Sequence, residues 1–301
     1  TQFSSANDPC DARFRTSGPN PSARAANCTA AGLPANFTSI IVNNSRPLTQ
    51  SGNSALDNEK ANSWTIGVIL QPPSVRGLSL SVDWVNIKLA NAIERLGVQT
   101  ILETCYDATD YPSNPACGLF NRDSAGQITG ARQTYVNAGS KQMRGLQVAL
   151  NADFRLPSVL PGKFSARANY FYLNRLRTSI AGGAPVEQAG EIEFSKHRAT
   201  VYTSYSDDNF LVGLTGNYIG SAKFSNSAAS NTYDIPGVHG WFTLDAVLGF
   251  NVTERLSLRL IVDNLFDRSA PYPAGIDDIG LATYNQGIFG RRFTVSASTH
   301  F

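Results

Sequence analysis

Charge is scarce in this chain: Asp, Glu, Lys and Arg make up 16% of its 301 residues, and the net charge is only +2. No basic cluster and no interleaving of basic with aromatic side chains occurs, which argues against a nucleic-acid partner. No apolar run approaches the roughly 18 residues that a transmembrane helix needs, so a helical membrane protein is excluded. That absence leaves a β-barrel open, because barrel strands carry their apolarity in alternation. Gly-rich phosphate loops, Gly-x-Ser-x-Gly, Cys-x-x-Cys and His-x-x-x-His are missing, and His197, His239 and His300 fall in different predicted elements. No catalytic, cofactor-binding or metal-ligating constellation is assembled, and the chain is not expected to be an enzyme. There is neither a signal peptide nor an initiator Met at Thr1, which predicts processing or a missing upstream part.

Cysteine is limited to four residues in two local pairs, Cys10 with Cys28 and Cys105 with Cys117, each in a segment rich in Gly, Pro, Asn and Ser. An even number of loop cysteines predicts two short-range disulfides in an oxidising compartment. The competing reading, a zinc site, lacks a close cysteine pair and nearby histidines. Residues 1–63, punctuated by five prolines, read as one long loop holding the first disulfide.

What is abundant is period-two alternation, the mark of half-buried strands. In Phe293 to Phe301 the odd positions, among them Phe293, Val295 and Phe301, form an apolar face opposite a polar one. Eight similar runs precede it: 64–70, 78–84, 144–155, 164–172, 199–205, 210–218, 242–250 and 256–262. A helix is predicted near Ala92 to Leu102 within a long excursion over 90–132. Connections alternate between short (71–78, 156–163, 206–209, 251–255) and long (90–132, 175–193, 221–240, 265–290), as in bacterial barrels with short periplasmic turns and long extracellular loops. On the apolar faces, Phe154, Phe164, Tyr205, Phe210, Phe250 and Phe301 fall at the predicted lower ends of the strands. Trp64, Trp84, Tyr170, Tyr172, Tyr218 and Phe242 fall at the upper ends. Two aromatic bands on one face read as a membrane girdle in contact with outer-membrane lipid. Asp83, Asp153, Arg155, Arg167, Asp245, Arg259 and Asp263 point to the other face, a wet lumen.

Asn264-Leu265-Phe266-Asp267-Arg268, followed by Tyr272-Pro273, Gly290-Arg291-Arg292 and a terminal strand closing on Phe301, resembles the C-terminal end of TonB-dependent outer-membrane receptors. Asp57-Asn-Glu-Lys60 ahead of Trp64 resembles the acidic/Lys segment that opens a barrel strand in that family. The resemblance implies an all-β transmembrane antiparallel barrel of about 22 strands with a plug, of which residues 64–301 supply the C-terminal nine strands and 1–63 an extracellular loop. Nine strands leave two unpaired edges, each unpaired backbone group costing several kcal/mol in hydrocarbon, so the plug and the N-terminal barrel half are expected upstream or on a companion chain. The implied function is import of a scarce nutrient (ferric siderophore, cobalamin or glycan), driven by an inner-membrane energy-coupling complex, in the outer membrane of a Gram-negative bacterium. Phe301 is implied to guide barrel assembly, and the extracellular ligand, a small molecule or glycan, needs no resident cofactor or metal. The alternative is an unplugged porin or a surface adhesin barrel.

Overall fold

The computed structural model describes residues 2–156, 160–180, 185–227, 233–273 and 282–299. In chain order the elements begin β1 (Gln2–Ser4), α1 (Pro21–Ala30), β2 (Arg46–Ser51), β3 (Lys60–Leu70), β4 (Leu78–Arg95) and α2 (Val98–Tyr106). They continue with β5 (Phe120–Arg122), β6 (Ile128–Leu156), β7 (Leu160–Ile180), β8 (Val186–Glu187), β9 (His197–Ser206) and β10 (Phe210–Ile219). The last are β11 (Ala222–Lys223), β12 (Gly237–Val238), β13 (Trp241–Thr253), β14 (Leu256–Asp263), α3 (Asn285–Phe289) and β15 (Arg292–Thr299). They fall into two compact units, one from Thr1–Ala61, Leu89–Lys141 and Ser179–Pro185, the other from Asn62–Lys88, Gln142–Thr178 and Val186–Phe301.

The larger unit is built on the strand path β3, β4, β6, β7, β9, β10, β13, β14, β15, with β11 and β12 paired in a separate two-stranded sheet. These are the nine strands expected from the alternation, each beside its neighbour in the count. Pairing from β7 to β15 is antiparallel and places like parity on like: Phe164 faces Tyr205, Phe210 faces Phe250, Tyr218 faces Phe242, and Val262 faces Phe293. A one-residue slip would reverse every face, so this agreement fixes the register. Among the described residues β3 and β15 pair on one side only, and all residues of both are exposed.

The short connections are built from capping side chains and one glycine. Asp207 Oδ1 accepts from the backbone N–H groups of Asn209 (2.8 Å) and Phe210 (2.9 Å), closing the β9–β10 turn. Thr253 Oγ1 does the same for Arg255 and Leu256 between β13 and β14. At the β3–β4 turn Gly77 has φ +86°, and a Cβ there would lie 2.1 Å from the Asp153 carbonyl oxygen, so only glycine fits.

The smaller unit corrects the expectation of a structureless 1–63. That segment holds α1, begun by the Asn20 side chain accepting from Ala23 N–H with Pro21 in the first helical turn, and β2, which runs parallel to β6 from Leu48↔Ala131 to Ser51↔Thr134. Strand β3 starts at Lys60, ahead of the expected position 64. The helix expected near Ala92 to Leu102 is shifted toward the C-terminus and overlaps that range only over 98–102. β4 keeps its strand conformation to Arg95, and α2 starts after Gly97, burying Val98, Ile101, Leu102, Cys105 and Tyr106. Two small cores result. Ile41, Leu48, Val98, Leu102 and Ile128 form one, and both disulfides with Leu33, Phe37 and Tyr106 form the other.

Candidate functional site

Alternation gives the sheet two chemically different faces. One carries large apolar side chains that are exposed: Trp64 (50%), Ile66 (68%), Val212 (37%), Leu214 (39%), Leu248 (48%) and Val295 (75%). Monomeric soluble proteins rarely expose a continuous apolar surface of this extent. Within it the aromatics lie in rows. Tyr170, Ala199, Tyr218 and Phe242 follow one another across β7, β9, β10 and β13, and Phe164, Tyr205, Phe210 and Phe250 gather at the opposite strand ends. The Tyr205 and Phe210 rings are 5.3 Å apart. From Phe242 to Phe250 is about 26 Å along the strand at ~3.3 Å per residue. Tyr172 pairs with His197 just beyond the upper row. Trp84 and Phe154 share the apolar parity of β4 and β6 and are half-buried. Phe293 and Val295 pair with Val262 and Leu260, while Phe301 lies outside the described residues.

The other face is polar and hydrogen-bonded. Asp153 accepts from Ser165 Oγ (2.6 Å) and faces Lys163 Nζ (3.2 Å), and Asp263 accepts from Arg292 (2.8 Å). Asp83 Oδ1 sits where a Cβ on Gly67 would be, 2.0 Å away, so the glycine makes room for the carboxylate. Arg167 and Arg259 are exposed on this face, as is Arg155. The face is not uniformly polar: Leu211, Val247 and Ile261 form a half-buried apolar strip that the expectation of a wet lumen did not include.

At the loop end of β13 and β14 this polar network meets the Asn264-Leu265-Phe266-Asp267 motif. Asn264 is fully buried at φ +51°, in the left-handed region that Asn tolerates better than most residues. Its N–H donates to Asp245 Oδ1 (2.8 Å), its Oδ1 accepts from Arg268 N–H (2.8 Å), and its Nδ2 donates to the carbonyls of Arg268 (3.0 Å) and Gln286 (3.2 Å). Leu265 N–H donates to the Leu244 carbonyl at 2.6 Å, and Phe266 projects into solvent at 66% exposure. Asp267, also at φ +51°, accepts from Arg291 N–H (2.8 Å) through its carboxylate. The motif is thus a corner that ties both ends of the 265–291 segment to β13. Asp245 extends it by accepting from Asn217 (3.2 Å), and Thr243 Oγ1 donates to Gln286 Oε1 (2.9 Å). Gln286 carried no sequence signal, being 22 positions from Asn264 in the short helix α3. Beside it, Trp241 donates to the Ser269 carbonyl (2.8 Å) and meets the Tyr284 ring edge-on at 5.5 Å; burial pushes the Tyr284 phenol up against the opposing Arg198 charge.

In the smaller unit both predicted disulfides are formed, Cys10–Cys28 and Cys105–Cys117. Two arginines add hydrogen bonds to the apolar packing. Arg15 donates to the carbonyls of Leu33 (3.2 Å), Pro34 (3.0 Å) and Ala25 (3.2 Å). Arg122 donates to both carboxylate oxygens of buried Asp8 at 2.8 Å and to the Gly126 carbonyl at 2.7 Å, with Tyr106 Oη 2.9 Å from its Nε. Arg13 holds the Asp11 carboxyl well below the usual range by a two-pronged hydrogen bond, helped by the Ser39 N–H.

The sequence model described as "TonB dependent receptor-like, beta-barrel" matches residues 14–265. The catecholate siderophore receptor Fiu of Escherichia coli K12 is 27% identical over 172 residues, covering 56% of this chain and 21% of that relative. A mutant of the ferric enterobactin receptor PfeA from Pseudomonas aeruginosa aligns over 86% of this chain and 33% of its own, with a TM-score of 0.54 and 19% identity. The siderophore receptor PirA from Acinetobacter baumannii aligns over 89% and 34%, with a TM-score of 0.54 and 17% identity. The two structural likenesses bear on fold. The chain spans about a fifth of the length of the curated relatives it matches.

Proposed function

The chain belongs to the TonB-dependent receptor β-barrel family, and on that premise we propose that it forms part of the barrel wall of an outer-membrane receptor that imports a ferric siderophore. The observation that carries the membrane reading is the continuous exposed apolar face with its aromatic rows. The catecholate receptor similarity supports a ferric catecholate as cargo over cobalamin or a glycan. In this reading the lone sides of β3 and β15 are closed by the remaining strands of the receptor, and a plug packs on the polar face. Energy from the inner membrane then moves the plug, and no catalytic step is assigned to this chain. The 1–63 segment and the 265–291 loop lie on the extracellular side, and the aromatic rows form the girdle. The terminal strand with Phe293 and Val295 takes part in assembly.

The test is uptake of radio-iron from a ferric catecholate by cells with and without the receptor. Import that depends on the receptor and stops with a protonophore is the expected result. Receptor-dependent entry that persists with a protonophore would replace active import with a porin-like barrel. Uptake of cobalamin or a glycan in place of iron would overturn the cargo.

The membrane reading has its own check. Leu214 is exposed mid-row on β10, and Thr215 faces Tyr202 and Asp245 on the polar side. Leu214→Arg is expected to cost about 2–4 kcal/mol in urea unfolding from lipid vesicles, and Thr215→Arg far less. Equal costs would remove the assignment of faces.

A further inference from the structure

Resting on the import reading above, we infer that Arg198, Arg167 and Arg155 form a staircase of cations down the polar face. An anionic ferric catecholate passes along it once the plug has moved. The three arginines lie on adjacent strands, β9, β7 and β6, and each is exposed on the polar parity. Arg198 faces Phe171 and Arg167 faces Tyr202, so four positions separate them, about 13 Å along the strands at ~3.3 Å per residue. The Ser165 and Lys163 side chains both reach Asp153, which places Arg155 near the level of Lys163, four residues below Arg167. Arg198 adjoins Ala199 in the upper row of the opposite face, and Lys163 adjoins Phe164 in the lower one. The staircase thus spans the height between the two aromatic rows.

Each end opens into a hollow. Arg198 lines one of about 290 Å³ with Gln147, Asn169, Phe171 and Thr200, and Arg155 lines one of about 330 Å³ with Lys163 and Ser206. Among the described residues Arg155 and Arg167 make no side-chain hydrogen bond or ion pair, and Arg198 donates only to the Glu193 carbonyl. The acids of this face are engaged: Asp153 by Lys163 and Ser165, Asp263 by Arg292, and Asp245 by Asn217 and the Asn264 corner. Asp83 is the exception, one strand beyond Arg155 on β4. A wall whose arginines are unpaired while most of its acids are held presents positive charge to the lumen. Anion pores conduct through such spaced cationic sites, each strong enough to admit the ion and weak enough to release it. Aromatic rings face two of the three arginines, Phe171 at Arg198 and Tyr202 at Arg167, which suits a cargo whose negative charge is carried on aromatic rings. A carboxylate of the plug would need the cation alone and gives no reason for the aromatic neighbours or for hollows at both ends.

The experiment uses cells carrying the whole receptor and radio-iron bound to a tris-catecholate. Equilibrium binding by de-energised cells on ice is separated from the initial rate of uptake at saturating complex. Arg167→Gln is expected to lower the maximal rate about threefold, and Arg155→Gln together with Arg167→Gln about tenfold, while binding changes by less than about twofold. Arg167→Lys should restore most of the rate, because a point charge suffices for a transit site. Unchanged maximal rates in the double variant would overturn the inference. So would loss of binding in step with rate, which would make the arginines part of the capture site. Entry of vancomycin through the Gln variants would make them anchors of the plug, with the same consequence. Receptor on the cell surface normalises every rate, and the three single variants probe the staircase separately, so failure of one to assemble leaves the others to decide it. No uptake by the unsubstituted receptor would remove the import reading and this inference with it, whereas normal uptake with unaltered variants removes the inference alone.

Discussion

Replacing Arg122 with Ala is expected to destabilise the disulfide-bearing unit by about 3–5 kcal/mol, because it leaves the Asp8 carboxylate buried without its cation. Asp8 is fully buried and the Arg122 side chain is 12% exposed, so little solvent reaches the pair. The two disulfides do not compensate. Each closes a loop of short separation, 18 and 12 positions, so neither joins the first forty residues to the segment around 105–122. Ion pairs span that gap: Arg122 reaches Asp8 across 114 positions, and Arg24 reaches Asp107 across 83. Arg122 also stacks over Tyr106, 5.2 Å from the ring centroid, and removing it opens the aromatic cluster with Phe37 and Phe120. Arg122→Lys should recover less than half of the loss, since one ammonium cannot supply the two-pronged bond and the contact to Tyr106 together. Hydrogen exchange measures it: amides of Cys10 and Ser39 should lose protection while those of β10 and β13 keep theirs. Unchanged exchange at Cys10 would refute the account.

This unit is also where the sequence was least legible, for a physical reason. Alternation is visible in the nine strands because the sheet's apolar and polar faces impose opposite demands on successive residues, and the paired parities of Phe210 with Phe250 and Tyr218 with Phe242 follow from it. No such two-sided environment acts on residues 1–63. Their order comes from cysteines that were legible and from arginines bonded to backbone carbonyls, such as Arg15 to Leu33 and Pro34, that were not. Asn20-Pro21 did carry a helix-start signal, masked by the surrounding prolines. Strand β4 outran its alternating segment because its later residues kept a partner in the sheet, and the helix expected there moved past Gly97. At the loop corner the Asn264 tetrapeptide stood out by resemblance, but its connection to Asp245 and Gln286 needed the chain to return from positions with no periodic pattern.

That corner gives the second large effect. Asn264→Ala removes two donated hydrogen bonds and one accepted one, leaving the Arg268 N–H and the carbonyls of Arg268 and Gln286 without that partner. Each buried group so orphaned costs about 1–3 kcal/mol, less where loop movement admits water, and the left-handed backbone at φ +51° adds about 1 kcal/mol for Ala. A loss of about 3 kcal/mol in local stability of 265–291 is expected. Asn264→Gly separates the two contributions: it tolerates the backbone angle but makes no side-chain bond, so it should be about 1 kcal/mol less damaging than Ala. Asn264→Asp keeps the acceptor for Arg268 N–H, yet it turns a carboxylate oxygen toward the Arg268 and Gln286 carbonyls that the amide nitrogen served, and should be no better than Ala. The readout is amide exchange at Arg268 and Arg291, set against the paired amides of Leu248 and Leu260 in β13 and β14. The strands should stay protected in all three variants, since their ladder does not pass through this side chain. If Ala and Gly were indistinguishable, the positive φ would contribute nothing. If exchange at Arg268 matched that of the unsubstituted protein, the buried amide would not be what holds the loop to the barrel wall.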